Sequence, residues 1–431
     1  MRFAVRVSVR ESIEFALRSG FVLAFACACA GCSSSSTSQG DQGDAANSGS
    51  GGNQAAHGGG GAMSTSTTAS SAGTTGASGN SSPDSGAGSG GETSSGGTHA
   101  SGASTSGGTS SGGGKNAGGA SAGASGGPST TAPSGFWDTG PIPAAKNVMI
   151  FRFLNRTNGN YADGEVFWSF KSGSISELHS IAEQDTYDMP ANSSGRLYFY
   201  LCKPSDTSCS ADPTKSKYFD FIEHTIGAHQ YNGNTTRVDA FGIKIAMRLH
   251  CADGFDRAVG EDYETFQEDR AATFQKFIDS VPDEFKPLAQ PPYAPYRIVE
   301  PGRAGFGMGG ANAHYYDSIV DAIWSANGIT IAKPGPNGSG LGSYPDLSAA
   351  IYRHVGDVAG SFDPNGKLLD KQLWANASTF YADPPADYYA RFWHAHALDG
   401  KAYGFPYDDV GGYSSYVSHQ NPQYLLIAVG W

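Results

Sequence analysis

Alternation of apolar and polar residues dominates the stretch from Asn147 to about His250. It predicts strands over Val148 to Leu154, Val166 to Lys171 and Arg196 to Leu201. Two further strands flank an Asn232-Gly233 turn centred on Tyr231, a dipeptide suited to tight hairpins. Phe219, Phe221, Glu223 and Thr225 share one side of the first. Asp239, Phe241, Ile243, Ile245, Met247 and Leu249 share one side of the second. From about Asp256 the period lengthens. Tyr263, Phe266, Phe274, Phe277, Ile278 and Val281 form one helical stripe with acids in front and Pro282 behind. Further helices are expected from Tyr315 to Ala326, through Leu347, Ile351 and Val355, and from Pro385 to Leu398. Tyr424 to Trp431 is an apolar run suited to a buried strand. The simplest architecture is α+β: a β-rich lobe, about 136–250 with 400–431, and a helical lobe, about 251–399, with a cleft between them.

The N-terminal third has a different texture. Arg2, Arg6, Arg10 and Arg18 precede a short apolar run, Phe21 to Ala30, which suits an export signal. Cys29-Ala30-Gly31-Cys32 resembles a lipobox, in which Cys32 is lipidated, and gives a signal segment over 1–32. The alternative is an ordinary secretory signal, and both readings take the protein out of the cytoplasm. Residues 33–135 lack Leu, Ile, Val and aromatics, so they cannot bury enough surface to offset ordering entropy. They read as a disordered tether of about 50–60 Å r.m.s. span, followed by a folded domain over 136–431.

The chain carries a net charge of −12, and the signal segment holds four arginines against two glutamates, so the exported part is more acidic still. That argues against a nucleic-acid partner. Outside the signal the cysteines are Cys202, Cys209 and Cys251. Cys202 and Cys209, flanking a short loop, are read as a disulfide, with pairing of Cys251 to either left open. No spacing suggests a metal site or a cofactor. His394 and His396, two apart on a helix, point in different directions. Gly305-Phe306-Gly307-Met308-Gly309-Gly310 fits a dinucleotide pattern but lacks a buried strand before it, and is read as the start of a helix or a groove wall.

Glu223 and Asp239 are the candidate chemistry. Each interrupts a row of hydrophobes on the apolar-facing parity, where an ionised acid is costly unless it lines a cleft or has a partner. Placed opposite each other, two such acids suit acid/base attack on a glycosidic bond. Most carboxylates on hairpins are merely solvated, so the pattern alone does not separate the two readings.

Phe221-Ile222-Glu223-His224-Thr225 and Arg237-Val238-Asp239-Ala240-Phe241-Gly242 resemble the acidic strand motifs of thaumatin-like proteins. They resemble still more closely glycoside hydrolase family 64, the bacterial β-1,3-glucanases. The likeness continues through Phe392-Trp393-His394, Tyr403 to Val410, Tyr416 to His419 and Ala428 to Trp431. It implies a thaumatin-like β-sandwich or barrel with a mixed α/β lobe and a wide cleft, and an inverting mechanism with Glu223 as acid and Asp239 as base. It also implies a β-1,3-glucan partner, short oligosaccharide products and no cofactor. Thr225 and Thr236 match family positions near the acids, whereas 227–232 departs from the family pattern. Tyr231, Trp393, Tyr407, Asp408 and Asp409 are candidate substrate contacts. The remaining expectations are a monomer touching the membrane only through its lipid, at the outer membrane or cell surface, or secreted. The alternative function is a non-catalytic glucan-binding or adhesion lipoprotein.

Overall fold

The computed structural model describes residues 131–206 and 215–431. The signal segment, Cys32, nearly all of the tether, and Cys209 lie outside them. Cys202 is disulfide-bonded to a partner outside the described residues, while Cys251 is a free, buried thiol.

The strands are β1 (Met149–Arg156), β2 (Val166–Ser172), β3 (Ile175–Ser180), β4 (Thr186–Met189), β5 (Ser193–Leu201), β6 (Phe219–Ile226), β7 (Gln230–Thr235), β8 (Ala240–Phe241), β9 (Lys244–Cys251), β10 (Asp256–Gly260), β11 (Ile298–Val299), β12 (Val417–Gln420) and β13 (Pro422–Gly430). The helices are α1 (Tyr263–Gln267), α2 (Arg270–Ser280), α3 (Asp317–Asn327), α4 (Pro345–Arg353) and α5 (Tyr388–Ala395). One sheet runs β10-β9-β13-β1-β4 and another β12-β7-β6-β5-β2-β3, with a short β11-β8 pair besides. Inward residues of both large sheets share one core, including Phe151, Phe153, Trp168, Phe199, Ile222, Met247 and Ile427. Alternation along each strand turns every second residue into this core. A separate core gathers α2 to α5 and the loops between them.

Two expectations are corrected. The helical stripe from Tyr263 is broken at Glu268 and Asp269, both extended, so it forms two helices rather than one. The hairpin does not turn at Asn232-Gly233. Gly227 donates its N–H to the Gln230 carbonyl at 2.8 Å, which places the turn at 227–230 and Asn232-Gly233 inside β7. Gly233 is there because a Cβ would overlap the Tyr231 hydroxyl and the Glu223 carbonyl. The slip pairs Glu223 with Asn234 instead of Asp239, an odd shift that exchanges the faces of β7 relative to β6. The core face of β6 is Ile222, His224 and Ile226, and Glu223 lies on the outward face.

A buried charge cluster anchors the segment after β7. Arg237, 3 % exposed, donates Nε and Nη2 to Glu261 at 2.7 Å each, and Nη1 to Asp220 at 2.7 Å. Asp220 also accepts the Gly242 N–H, and Glu261 the Ile245 N–H. Burial opposes the guanidinium charge, but the two carboxylates outweigh it and raise its pKa. Removing one partner of such a group strands buried charge. Arg237→Leu is expected to lower stability by about 3–5 kcal/mol, measured by urea unfolding; a loss under about 1 kcal/mol contradicts the anchoring role.

His224 sits in the sheet core against Phe151 and Phe170, and neither ring nitrogen has a partner. Burial pushes its pKa down from 6.5 to about 4. Between those values the unfolded chain binds a proton that the fold does not. Stability is therefore complete above about pH 6.5 and falls as pH drops toward 4, by about 3 kcal/mol in all from this group. His224→Phe is expected to flatten that part of the stability profile in denaturant titrations between pH 7 and 4. An unchanged slope would show that other groups set it.

Candidate active site

The outward face of β5, β6, β7 and β12 is half-exposed and carries the candidate chemistry. Pairing aligns Arg196 with Glu223 and Glu223 with Asn234 across three strands. The neighbouring row aligns Ser194, Thr225, Asn232 and Ser418. On the opposite flank of the Glu223 row stand Tyr198, Tyr200, Phe219 and Phe221, in ring contact with one another.

Asp239 is not on a strand facing Glu223; it follows β7, on the segment held by Arg237. The Arg237 N–H donates to the Tyr403 carbonyl at 2.8 Å, and the Arg237 carbonyl accepts the Tyr389 hydroxyl at 2.6 Å. Glu223 and Asp239 meet instead through Arg196. Its Nε donates to Glu223 Oε1 at 3.1 Å and its Nη1 to Asp239 Oδ2 at 3.1 Å. With the fork's nitrogens about 2.3 Å apart, the two carboxylate oxygens are separated by no more than about 8.5 Å. The guanidinium lies 4.1 Å from the Phe221 ring centroid. Burial disfavours its charge, but Asp239 and Glu223 offset this and raise its pKa.

The other expected contacts divide. Thr225 is on the face, its hydroxyl 3.0 Å from that of Ser194. Asp409 is exposed and within hydrogen-bonding range of the Tyr403 hydroxyl. Tyr403 itself is half-buried; burial, then Asp409, Asp408 and Glu223, raise its pKa, which places it in the electrostatic field of the site. Tyr407 is half-exposed and donates its hydroxyl to the Gly342 carbonyl. Four others are inside the protein, out of reach of a ligand on this face. Tyr231 is 0 % exposed and points into the sheet core toward Met247 Sδ, because the corrected register puts it on the inner face. Trp393, 1 % exposed, stacks on Phe241. Thr236 is buried, and its hydroxyl accepts the Val238 N–H at 3.2 Å. Asp408 is buried between Arg353 at 3.0 Å and His394 at 2.9 Å. Burial disfavours the Asp408 charge, but His394, Arg353 and the Gly404 N–H outweigh it and lower its pKa; burial likewise disfavours a charged His394, but Asp408 and the Gly400 carbonyl outweigh it and raise its pKa. This triad holds the loop that presents Tyr403 and Asp409.

Arg196 and Asn234 escaped the sequence reading. Asn234 is buried opposite Glu223, with its Oδ1 unpartnered. The signal for both was parity: Arg196 and Asn234 share the outward face with Glu223 once the turn is placed at 227–230. No group of His, Cys, Asp and Glu among the described residues is arranged to hold a metal ion.

The family described as beta-1,3-glucanase, glycoside hydrolase family 64, matches residues 177–342 and 341–429. A glucan endo-1,3-beta-glucosidase from Arthrobacter sp. (strain YCWD3) is 25 % identical over 262 residues, covering 50 % of this chain and 46 % of that protein. The chain thus spans about half the length of this curated relative. A laminaripentaose-producing beta-1,3-glucanase from Paenibacillus barengoltzii is similar at 30 % identity and TM-score 0.53, covering 67 % of this chain and 77 % of that one. It has also been crystallised with laminarihexaose. A beta-1,3-glucanase domain from Clostridium beijerinckii shares the fold at 23 % identity and TM-score 0.55, over 68 % of this chain and 100 % of that domain. With the family match extending over more than half of its residues, the chain belongs to glycoside hydrolase family 64, the beta-1,3-glucanases.

Proposed function

We propose that the protein is an exported, lipid-tethered endo-β-1,3-glucanase whose Glu223 and Asp239 act as acid and base with inversion. The observation that carries this reading is the pair of carboxylates gathered about one guanidinium on an open sheet face. Their spacing, at most about 8.5 Å, accommodates the roughly 6.5–9.5 Å that inversion uses to admit a water. Glu223 protonates the glycosidic oxygen as its bond to the anomeric carbon breaks. Asp239 takes a proton from water as that water bonds to the same carbon from the other side. The products are a new reducing end and a freed hydroxyl. The partner is β-1,3-glucan, cut to short oligosaccharides, and the fold is a thaumatin-like sandwich whose junction with the helical lobe makes a wide cleft. The Arg-rich leader, the lipobox at Cys32 and the Ser/Gly tract support export and anchoring of the 136–431 domain.

Arg196 holds both acids at fixed positions, so it acts on the rate by positioning rather than by touching the reacting bond.

Glu223→Gln and Asp239→Asn are each expected to lower kcat on laminarin by about 10²–10⁴-fold, read as new reducing ends, with the β-glucan giving an α-configured first product by NMR. Retained hydrolysis in either variant removes that residue from its role. Tight glucan binding by the native chain with no product would make it a binding protein instead.

Arg196→Lys keeps one charge but cannot span two carboxylates. It is expected to lower kcat on the order of 10²-fold with KM little changed; full kcat would show that the bridge is dispensable.

A further inference from the structure

One side-chain network on the outward face takes no part in the acid/base scheme. Asn232 Oδ1 accepts from the Ser418 hydroxyl at 2.7 Å, the Tyr416 hydroxyl at 2.9 Å and the Gln230 amide at 3.1 Å. Gln230 donates to Ser418 Oγ as well, at 3.1 Å. Three donors saturate a carbonyl oxygen, so the carboxamide is fixed with its NH₂ turned the other way. That NH₂ has no partner among the described residues. The network also holds Tyr416 by its hydroxyl while leaving the residue 40 % exposed, the only exposed large aromatic among the described residues.

The surroundings restrict what could bind. Asn232 lies one strand and two residues from Glu223, roughly 8 Å away at ordinary strand spacing. Its row continues through Thr225 to Ser194, so hydroxyls and amides cross four strands without a charged side chain. An uncharged ligand with many hydroxyls and an apolar ring face matches a fixed amide donor beside a fixed aromatic ring. Because the donor is oriented during folding, little ordering entropy remains to be lost on binding.

We propose that Gln230, Asn232, Tyr416 and Ser418 form a glucosyl-binding subsite, in which Tyr416 stacks on a pyranose face and the Asn232 NH₂ donates to a ring hydroxyl. The assignment rests on the glucanase reading and adds a determinant of where the glucan chain lies relative to the acids. It draws on the segment 227–232, where this chain departs from the family pattern. A purely structural role, tying edge strand β12 to β7, makes a different prediction: altered stability with unaltered affinity.

The test uses the full chain carrying Glu223→Gln, titrated calorimetrically with laminarihexaose. Adding Tyr416→Ala or Asn232→Ala is expected to weaken binding about tenfold with the thermal midpoint retained. In the native background the same changes are expected to raise KM about tenfold while kcat stays within about threefold. Unchanged affinity in the folded variants overturns the subsite, as does a native chain that binds no glucan. If Asn232→Ala loses its fold, Tyr416→Ala and Tyr416→Phe decide: the first must lose affinity, and the second must lose less. Hydrolysis by Glu223→Gln would sink the acid assignment alone, since the subsite is then judged on initial-rate KM.

Discussion

A single guanidinium buried between two carboxylates organises this protein. Arg237 joins Asp220 of β6 to Glu261, just beyond β10, and each acid receives backbone N–H groups from the β8–β9 region. Three charges without water are tolerable only when each is paired and hydrogen-bonded. The geometry that satisfies them determines where the chain runs between β7 and β8. Asp239 lies on that run. Tyr389 of α5 and the Tyr403 loop hold the same backbone from the helical side, so both cores determine where one candidate catalytic oxygen lies.

A second arginine repeats the pattern under different solvent conditions. Arg196 also stands between two acids, but side-chain exposures of 38 %, 24 % and 42 % for Arg196, Glu223 and Asp239 leave water on all three. Exposed pairs contribute little to stability. Groups that fold the protein are sealed, and groups offered to a ligand remain wet. Arg353 belongs with the first kind: fully buried against Asp408, it restrains the loop that carries Asp409 to the surface.

Much of this was readable in the chain. Period-two patterning located β1, β2 and β5, and a continuous apolar run located β13, each to within a few residues, and both acids lie beside one open face. Other features depended on contacts distant in sequence. Asn232-Gly233 has turn composition, yet the glycine answers to Tyr231 and the Glu223 backbone across the ladder. That single displacement pairs Glu223 with Asn234 rather than Asp239, an odd shift that puts Tyr231 on the face opposite Glu223. Composition could not reveal that Trp393 and Asp408 are sealed, since their partners Phe241 and Arg353 come from remote segments. Arg196 was invisible for the same reason: its meaning lies in strand pairing with Glu223, 27 residues away.

The middle strand of one sheet comes late in the chain. β13, residues 422–430, lies between β1 and β9 and pairs with both, so β1 waits through roughly 270 residues of synthesis for its parallel neighbour. Until then the apolar inner faces of β1 and β9 have no strand between them and the sheet cannot close. The same delay leaves the facing edges of β1 and β9 unpaired through most of synthesis, and unpaired strand edges are templates for association with other chains.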